Sequence, residues 1–84
     1  MKYTINVMCY DVAVSGPQTV EAPGEVSVEK LLELFFDSYA EEIEPPRDEF
    51  LAYSNLIVNG NTADRTKLLK ESDQITLVRV MAGG

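Results

Sequence analysis

VSVEKLLELFFDSYAE, residues 26–41, decides the fold. Val28, Leu31, Leu32, Phe35, Phe36 and Tyr39 recur at intervals of three and four, which places them on one side of an α-helix. Glu29, Lys30, Glu33 and Asp37 fill the opposite side. Ser27 stands where an N-cap hydroxyl accepts from the free N–H groups of the first turn, and Glu29 complements the positive end of the helix dipole. Val26 ahead of the cap and Leu31 beyond it have the spacing of a hydrophobic staple. Pro45-Pro46 forbids continuation, so the helix is expected to end near Ala40 or Glu41. The aromatic members of the stripe follow the period that buries a helix on a sheet, which makes them core residues rather than a cofactor box.

Upstream, Tyr3 to Tyr10 alternates, with Tyr3, Ile5, Val7 and Cys9 on one face, as a strand with one buried side does. Ser15-Gly16-Pro17 is a turn, Gln18 to Ala22 a second short strand, and Pro23-Gly24 its end, so an N-terminal hairpin precedes the helix. Downstream, Leu56-Ile57-Val58 is a short strand followed by an Asn59-Gly60 turn. Thr62 to Lys70 is a polar connection whose Leu68 and Leu69 are expected to plug the core, and Glu71-Ser72-Asp73 is another turn. Ile75 to Met81 is a last strand, apolar enough to be central in the sheet or to leave it toward a partner. The order strand, strand, helix, strand, strand predicts an α+β fold of the β-grasp arrangement. Its sheet is mixed, of four to five strands, with one main helix packed across one face.

Composition narrows the function. The 84 residues make one domain, 1–84, with 14 acidic and 7 basic side chains, no histidine and a formal net charge of −7. Without histidine and with Cys9 as the one cysteine, a structural zinc site and a His-based catalytic dyad lack their ligands and base. A lone cysteine closes no intramolecular disulfide, which suits the reducing cytoplasm. The opening MKYTINVMCYDV lacks the pattern of a signal peptide, and no apolar run approaches the ~20 residues that span a bilayer. The acidic balance argues against nucleic acid, since phosphate binding needs a basic face. Residues 25–49 hold nine acidic and two basic side chains, a net −7 that equals the charge of the whole chain. Such a run is a solvated helix face and acidic loop, or a field that steers the chain to a basic partner.

The chain finishes as Ala82-Gly83-Gly84, directly after an apolar strand. Glycines there give a slim backbone that enters channels closed to other residues, and what such a tail (82–84) delivers is the carboxylate of Gly84. A frayed end is the alternative. The β-grasp order, Val58-Asn59-Gly60, the acidic turn Ser72-Asp73 before the last strand and the closing Ala82-Gly83-Gly84 together resemble the ubiquitin-like sulfur carriers, MoaD/ThiS-type. These are the small subunit of molybdopterin synthase and the thiamine sulfur carrier. The likeness runs over the whole chain, and the Gly-Gly end is its diagnostic motif. The long first strand and three-turn helix look more like the molybdopterin carrier. Ser72 replaces the usual glycine of the Gly-Asp turn, and Arg79-Val80 stands where the molybdopterin carriers often have a proline pair.

The resemblance implies a carrier, not an enzyme in itself. A ubiquitin-activating-type adenylyltransferase would spend ATP to adenylate Gly84, a persulfide donor would convert it to a thiocarboxylate, and the molybdopterin synthase large subunit or thiazole synthase would take the sulfur. No cofactor or metal is implied on the chain itself. Leu56, Val58, Leu77 and Met81 are candidates for an apolar docking patch, and Arg79 for pairing with an acidic partner group beside the tail. Cys9 shares the inward face of its strand and is expected to be core. Two other functions fit the same end: a protein modifier conjugated through Gly84, and a β-grasp binding module without carrier chemistry.

Overall fold

The computed structural model describes residues 1–9 and 11–79. Tyr10 of the first expected strand, Val80 and Met81 of the last, and Ala82, Gly83 and Gly84 lie outside the described residues. Strand β1 (Lys2–Val7) pairs antiparallel with β2 (Gly16–Glu21) in a hairpin that sets Tyr3 against Val20 and Val7 against Gly16. Helix α1 (Val28–Tyr39) follows, then a 3-10 turn (Ala40–Glu42), α2 (Arg47–Tyr53), β3 (Ser54–Val58), β4 (Asn61–Thr62) and β5 (Ile75–Arg79). β5 lies parallel beside β1 and antiparallel to β3, giving the strand order β2-β1-β5-β3-β4. A parallel pair needs a long crossover, and α1 with its flanking connections supplies it. This is the β-grasp arrangement, with five strands and β5 between β1 and β3.

α1 forms as its sequence dictates. The Ser27 side chain accepts from the Lys30 N–H at 3.2 Å, and Val28, Leu31, Leu32 and Phe35 are buried against the sheet. The 62–70 connection caps the same end, where the Val28 and Glu29 N–H groups donate to the carbonyls of Lys67 and Arg65 at 2.9 and 3.0 Å. Tyr3 is fully buried, and its hydroxyl is satisfied on both sides. It donates to the Leu69 carbonyl at 2.7 Å and accepts from the Val26 N–H at 3.3 Å.

The hairpin bounds shift: β1 ends at Val7 rather than Tyr10, and Gly16 and Pro17, expected in the turn, pair as the first residues of β2. Two elements depart further from the sequence expectation. Pro45-Pro46 ends one helix and starts another: Pro46 takes the N-cap position of α2 with φ −65° and ψ 161°, and Asp48 and Glu49 occupy its first turn. α2 drops Phe50 into the core against Phe35 and Phe36, with ring centroids 6.1 and 5.6 Å apart. The second departure concerns the paired leucines. Leu69 is fully buried, but Leu68 is 62% exposed and does not plug the core. The segment is extended there, with Leu68 bridged to Ser27, so adjacent side chains point opposite ways.

Asn59 and Gly60 both take positive φ, 53° and 88°, as the tight turn between β3 and β4 requires. Asn59 then latches the second turn. Its Nδ2 donates to Asp73 Oδ1 at 3.0 Å, and its Oδ1 accepts from the Gln74 N–H at 2.9 Å. The Lys70 N–H donates to Asp73 Oδ2 at 2.8 Å. That backbone bond first, and the Asn59 amide second, hold the Asp73 carboxyl below the usual carboxylate range.

Candidate functional site

The end of β5 is the last described part of the chain before Gly83 and Gly84. Ile75 and Leu77 point into the core, and Arg79 shares their face by the strand period. Its side chain is 13% exposed. Nε lies 3.2 Å from Asp11 Oδ2, and Nη1 donates to Ser54 Oγ at 3.3 Å and to the Phe50 carbonyl at 3.5 Å. The guanidinium carbon stands 5.6 Å from the centre of the Phe50 ring. A second arginine holds the same corner: Arg65 Nη2 donates to the Ser54 and Ala52 carbonyls at 2.7 and 3.4 Å. Both arginines thus satisfy carbonyls at the end of α2 that the helix itself leaves open. The acid beside Arg79 belongs to this chain, so Arg79 is not a free cation waiting for a partner's carboxylate.

The apolar docking residues expected from sequence are placed otherwise. Leu56 and Leu77 are fully buried and Val58 is 3% exposed, so all three are core and offer no surface. They pair in register, Leu56 with Leu77 and Val58 with Ile75, on the sheet face that α1 covers. Met81 lies outside the described residues. The outer face carries the alternate positions. Ile57 pairs with Thr76, Asn55 pairs with Val78, and Met8, 68% exposed, follows β1 with its N–H on the Leu77 carbonyl at 3.3 Å. Met8, Ile57 and Val78 are therefore the apolar side chains presented beside the end of β5. The period of two in the sequence marked them, since each is one residue away from a core position.

The loop after β1 brings acidic groups to this corner. The Ala13 N–H donates to the Glu42 carbonyl at 2.7 Å, the Glu44 N–H donates to the Asp11 carbonyl at 3.2 Å, and Val12 bridges Ile43. Glu41, Glu42 and Glu44 with Asp11 line one shallow notch next to the ion pair. The acidic stretch of the sequence is thus divided: Glu29, Glu33 and Asp37 lie on the outer side of α1, and Glu41, Glu42 and Glu44 are brought to the corner beside the end of β5.

With that geometry in place, comparison with known proteins is decisive on family. The model of the ThiS family matches residues 7–84. The chain belongs to the ThiS family. The crystal structure of SAMP1 from Haloferax volcanii is similar over 100% of both chains, with a TM-score of 0.69 and 17% sequence identity. At that identity the likeness establishes the shared β-grasp fold. No curated protein sequence matches the chain.

In this ThiS-family chain Cys9 is a core group. It is 8% exposed, and its Sγ donates to the Leu77 carbonyl at 3.6 Å. Burial first and the Asp11 carboxylate second push the thiol above its ordinary pKa, against the opposing pull of the Arg79 guanidinium and a Met8 backbone hydrogen bond. A thiol held protonated is a poor nucleophile. Cys9 has neither the exposure nor the ionisation of a sulfur-handling residue. Among the described helices none is long and apolar enough to cross a membrane.

Proposed function

We infer that the chain is a sulfur carrier that works through Gly84 as its terminal residue. The observation that carries this reading is the family match, which runs through the strand β5 and on to Gly83 and Gly84. The β-grasp platform supports it, because β5, the last element before those residues in the chain, is a central strand held between β1 and β3. A carboxylate is a poor electrophile. A ubiquitin-activating-type adenylyltransferase joins the Gly84 carboxylate to ATP, releasing pyrophosphate and leaving an acyl-adenylate. The terminal sulfur of a donor persulfide attacks the acyl carbon and AMP leaves. A second thiol then cleaves the resulting acyl disulfide, and the thiocarboxylate remains on Gly84.

The chain contributes no catalytic side chain to these steps. Its part is to present the terminal group by proximity, in place of dilute free sulfide. Met8, Ile57 and Val78 form the apolar docking surface, and Glu41, Glu42 and Glu44, rather than the ion-paired Asp11, steer a basic partner to it. Action in the cytoplasm suits a protein whose thiol stays reduced. Of the two acceptor classes we favour the molybdopterin synthase large subunit over a thiazole synthase, on the twelve-residue, three-turn α1; the six-residue β1 is of ordinary length and does not bear on the choice.

The test is ATP–pyrophosphate exchange by an activating enzyme from the same host, followed by sulfur transfer to each acceptor. Full-length chain supports exchange, and removal of Gly84 or extension beyond it abolishes exchange while the thermal melt is unchanged. A Gly84 deletion that still supports exchange contradicts the carrier reading. Thiocarboxylate consumed by thiazole synthase alone contradicts the choice of acceptor, and adducts on lysines of other proteins show a modifier instead.

A further inference from the structure

β5 ends on a charged residue where its own period calls for an apolar one. Ile75 and Leu77 are 4% and 0% exposed, and Arg79 is next on the same face. Its register partner across the sheet is Ser54, a buried polar residue at 1% exposure. Asp11 completes the group from the loop after β1, with its side chain 20% exposed. The open end of the core is thus closed by a polar trio rather than by packed apolar side chains. That choice brings little stability, because a largely buried ion pair roughly breaks even against apolar groups of the same volume. Asp11 Oδ1 adds a cost, being buried with no donor among the described residues.

What the trio supplies is direction. A guanidinium is a planar fork with fixed donor vectors, and a methionine or leucine in its place would fill space without fixing an angle. Arg79 is tied at once to the loop after β1 through Asp11, to α2 through the Phe50 carbonyl and ring, and to β3 through Ser54. Five residues follow it. Misplacement of a reacting group by about 1 Å can cost a hundredfold in rate.

We propose that Asp11, Arg79 and Ser54 form a clamp at the end of β5, positioning residues that set the direction in which the chain leaves that strand toward an activating enzyme. The proposal rests on the reading of Gly84 as the reacting end. The clamp acts after docking, since the docking surface lies on the other face of the sheet. Its loss should therefore appear in kcat and not in KM.

The experiment uses the full chain and three variants: Asp11→Leu with Arg79→Met, Arg79→Lys, and Asp11→Asn. Thermal melts and ATP–pyrophosphate exchange are measured for each. The double variant melts at or above the parent temperature, its KM stays within about twofold, and its kcat falls by about tenfold or more. Arg79→Lys keeps the charge without the fork and gives an intermediate kcat. Unchanged kcat in folded variants, or a loss confined to KM, overturns the clamp. If the double variant does not fold, Asp11→Asn carries the same comparison. A parent chain that no activating enzyme adenylates defeats the carrier reading, and the clamp is then judged by trypsin, which must draw the Arg79 side chain into its own pocket. Release of residues 80–84, read by intact mass, is slow in the parent and at least about tenfold faster in Asp11→Asn, the opening that loss of a charged partner allows. Equal release rates overturn the clamp whatever the function of Gly84.

Discussion

Leu77→Ala and Val78→Ser, neighbours on β5, should separate fold from docking. Leu77 is fully buried in the strand between β1 and β3, opposite Leu56, and its carbonyl accepts from the Met8 N–H. Truncation there removes three buried carbons and leaves a cavity in a layer with strands on both sides to hold it open, which costs about 2–5 kcal/mol. For a domain of this size that lowers Tm by roughly 10–30 °C. Val78 faces outward beside Asn55, and Val78→Ser costs less than about 1 kcal/mol because its methyl groups are only partly withdrawn from water. The two variants should reverse in ATP–pyrophosphate exchange. At a temperature where both are folded, Leu77→Ala keeps the parent KM, and Val78→Ser raises KM by about tenfold, equivalent to about 1.4 kcal/mol of docking energy. Circular dichroism melts and steady-state exchange kinetics give both quantities. A Val78→Ser melt depressed more than that of Leu77→Ala would refute the assignment of faces. An unchanged KM for Val78→Ser would refute the outer face as the docking surface.

Three further outcomes follow from the same geometry. Asp73→Asn lowers stability at neutral pH, because the depressed carboxyl pKa contributes stability that is present above the ordinary carboxylate range and is lost as pH falls through the folded value. Melts of parent and variant should therefore converge at low pH, and a constant gap between them would contradict the latch. Replacing Glu41, Glu42 and Glu44 by Gln should slow association with the activating enzyme at low ionic strength and flatten its salt dependence, while dissociation changes little; stopped-flow rates that keep their salt slope would exclude steering. Cys9 should react with iodoacetamide much more slowly in the native chain than in denaturant, and alkylation at the denatured rate would show that the thiol is not held in the core.

Much of the fold is legible in the sequence because local signals and burial agree. Ser27 caps α1 and the stripe from Val28 to Phe35 is buried, as the period of three and four demands. The hairpin, the Asn59-Gly60 turn and the last strand follow from turn chemistry and alternation. α2 was hidden because Pro45-Pro46 reads as a stop, whereas proline also suits the first positions of a helix, and seven residues give too short a period to recognise. Choosing docking residues by apolarity selected Leu56, Val58 and Leu77, the members of β3 and β5 that the core needs most. The same alternation, read for the other face, points to Ile57 and Val78. The inward side of Arg79 could be read from its parity with Ile75 and Leu77, but its partner could not. Asp11 reaches it only because β1 and β5, from opposite ends of the sequence, run side by side in parallel.

The most direct measurement is the intact mass of the chain before and after incubation with its activating enzyme, ATP and a persulfide donor, with labile sulfur preserved. The expected result is an increase equal to one oxygen replaced by one sulfur, mapped to Gly84. An unchanged mass with an activating enzyme that is active on another carrier would contradict the carrier role.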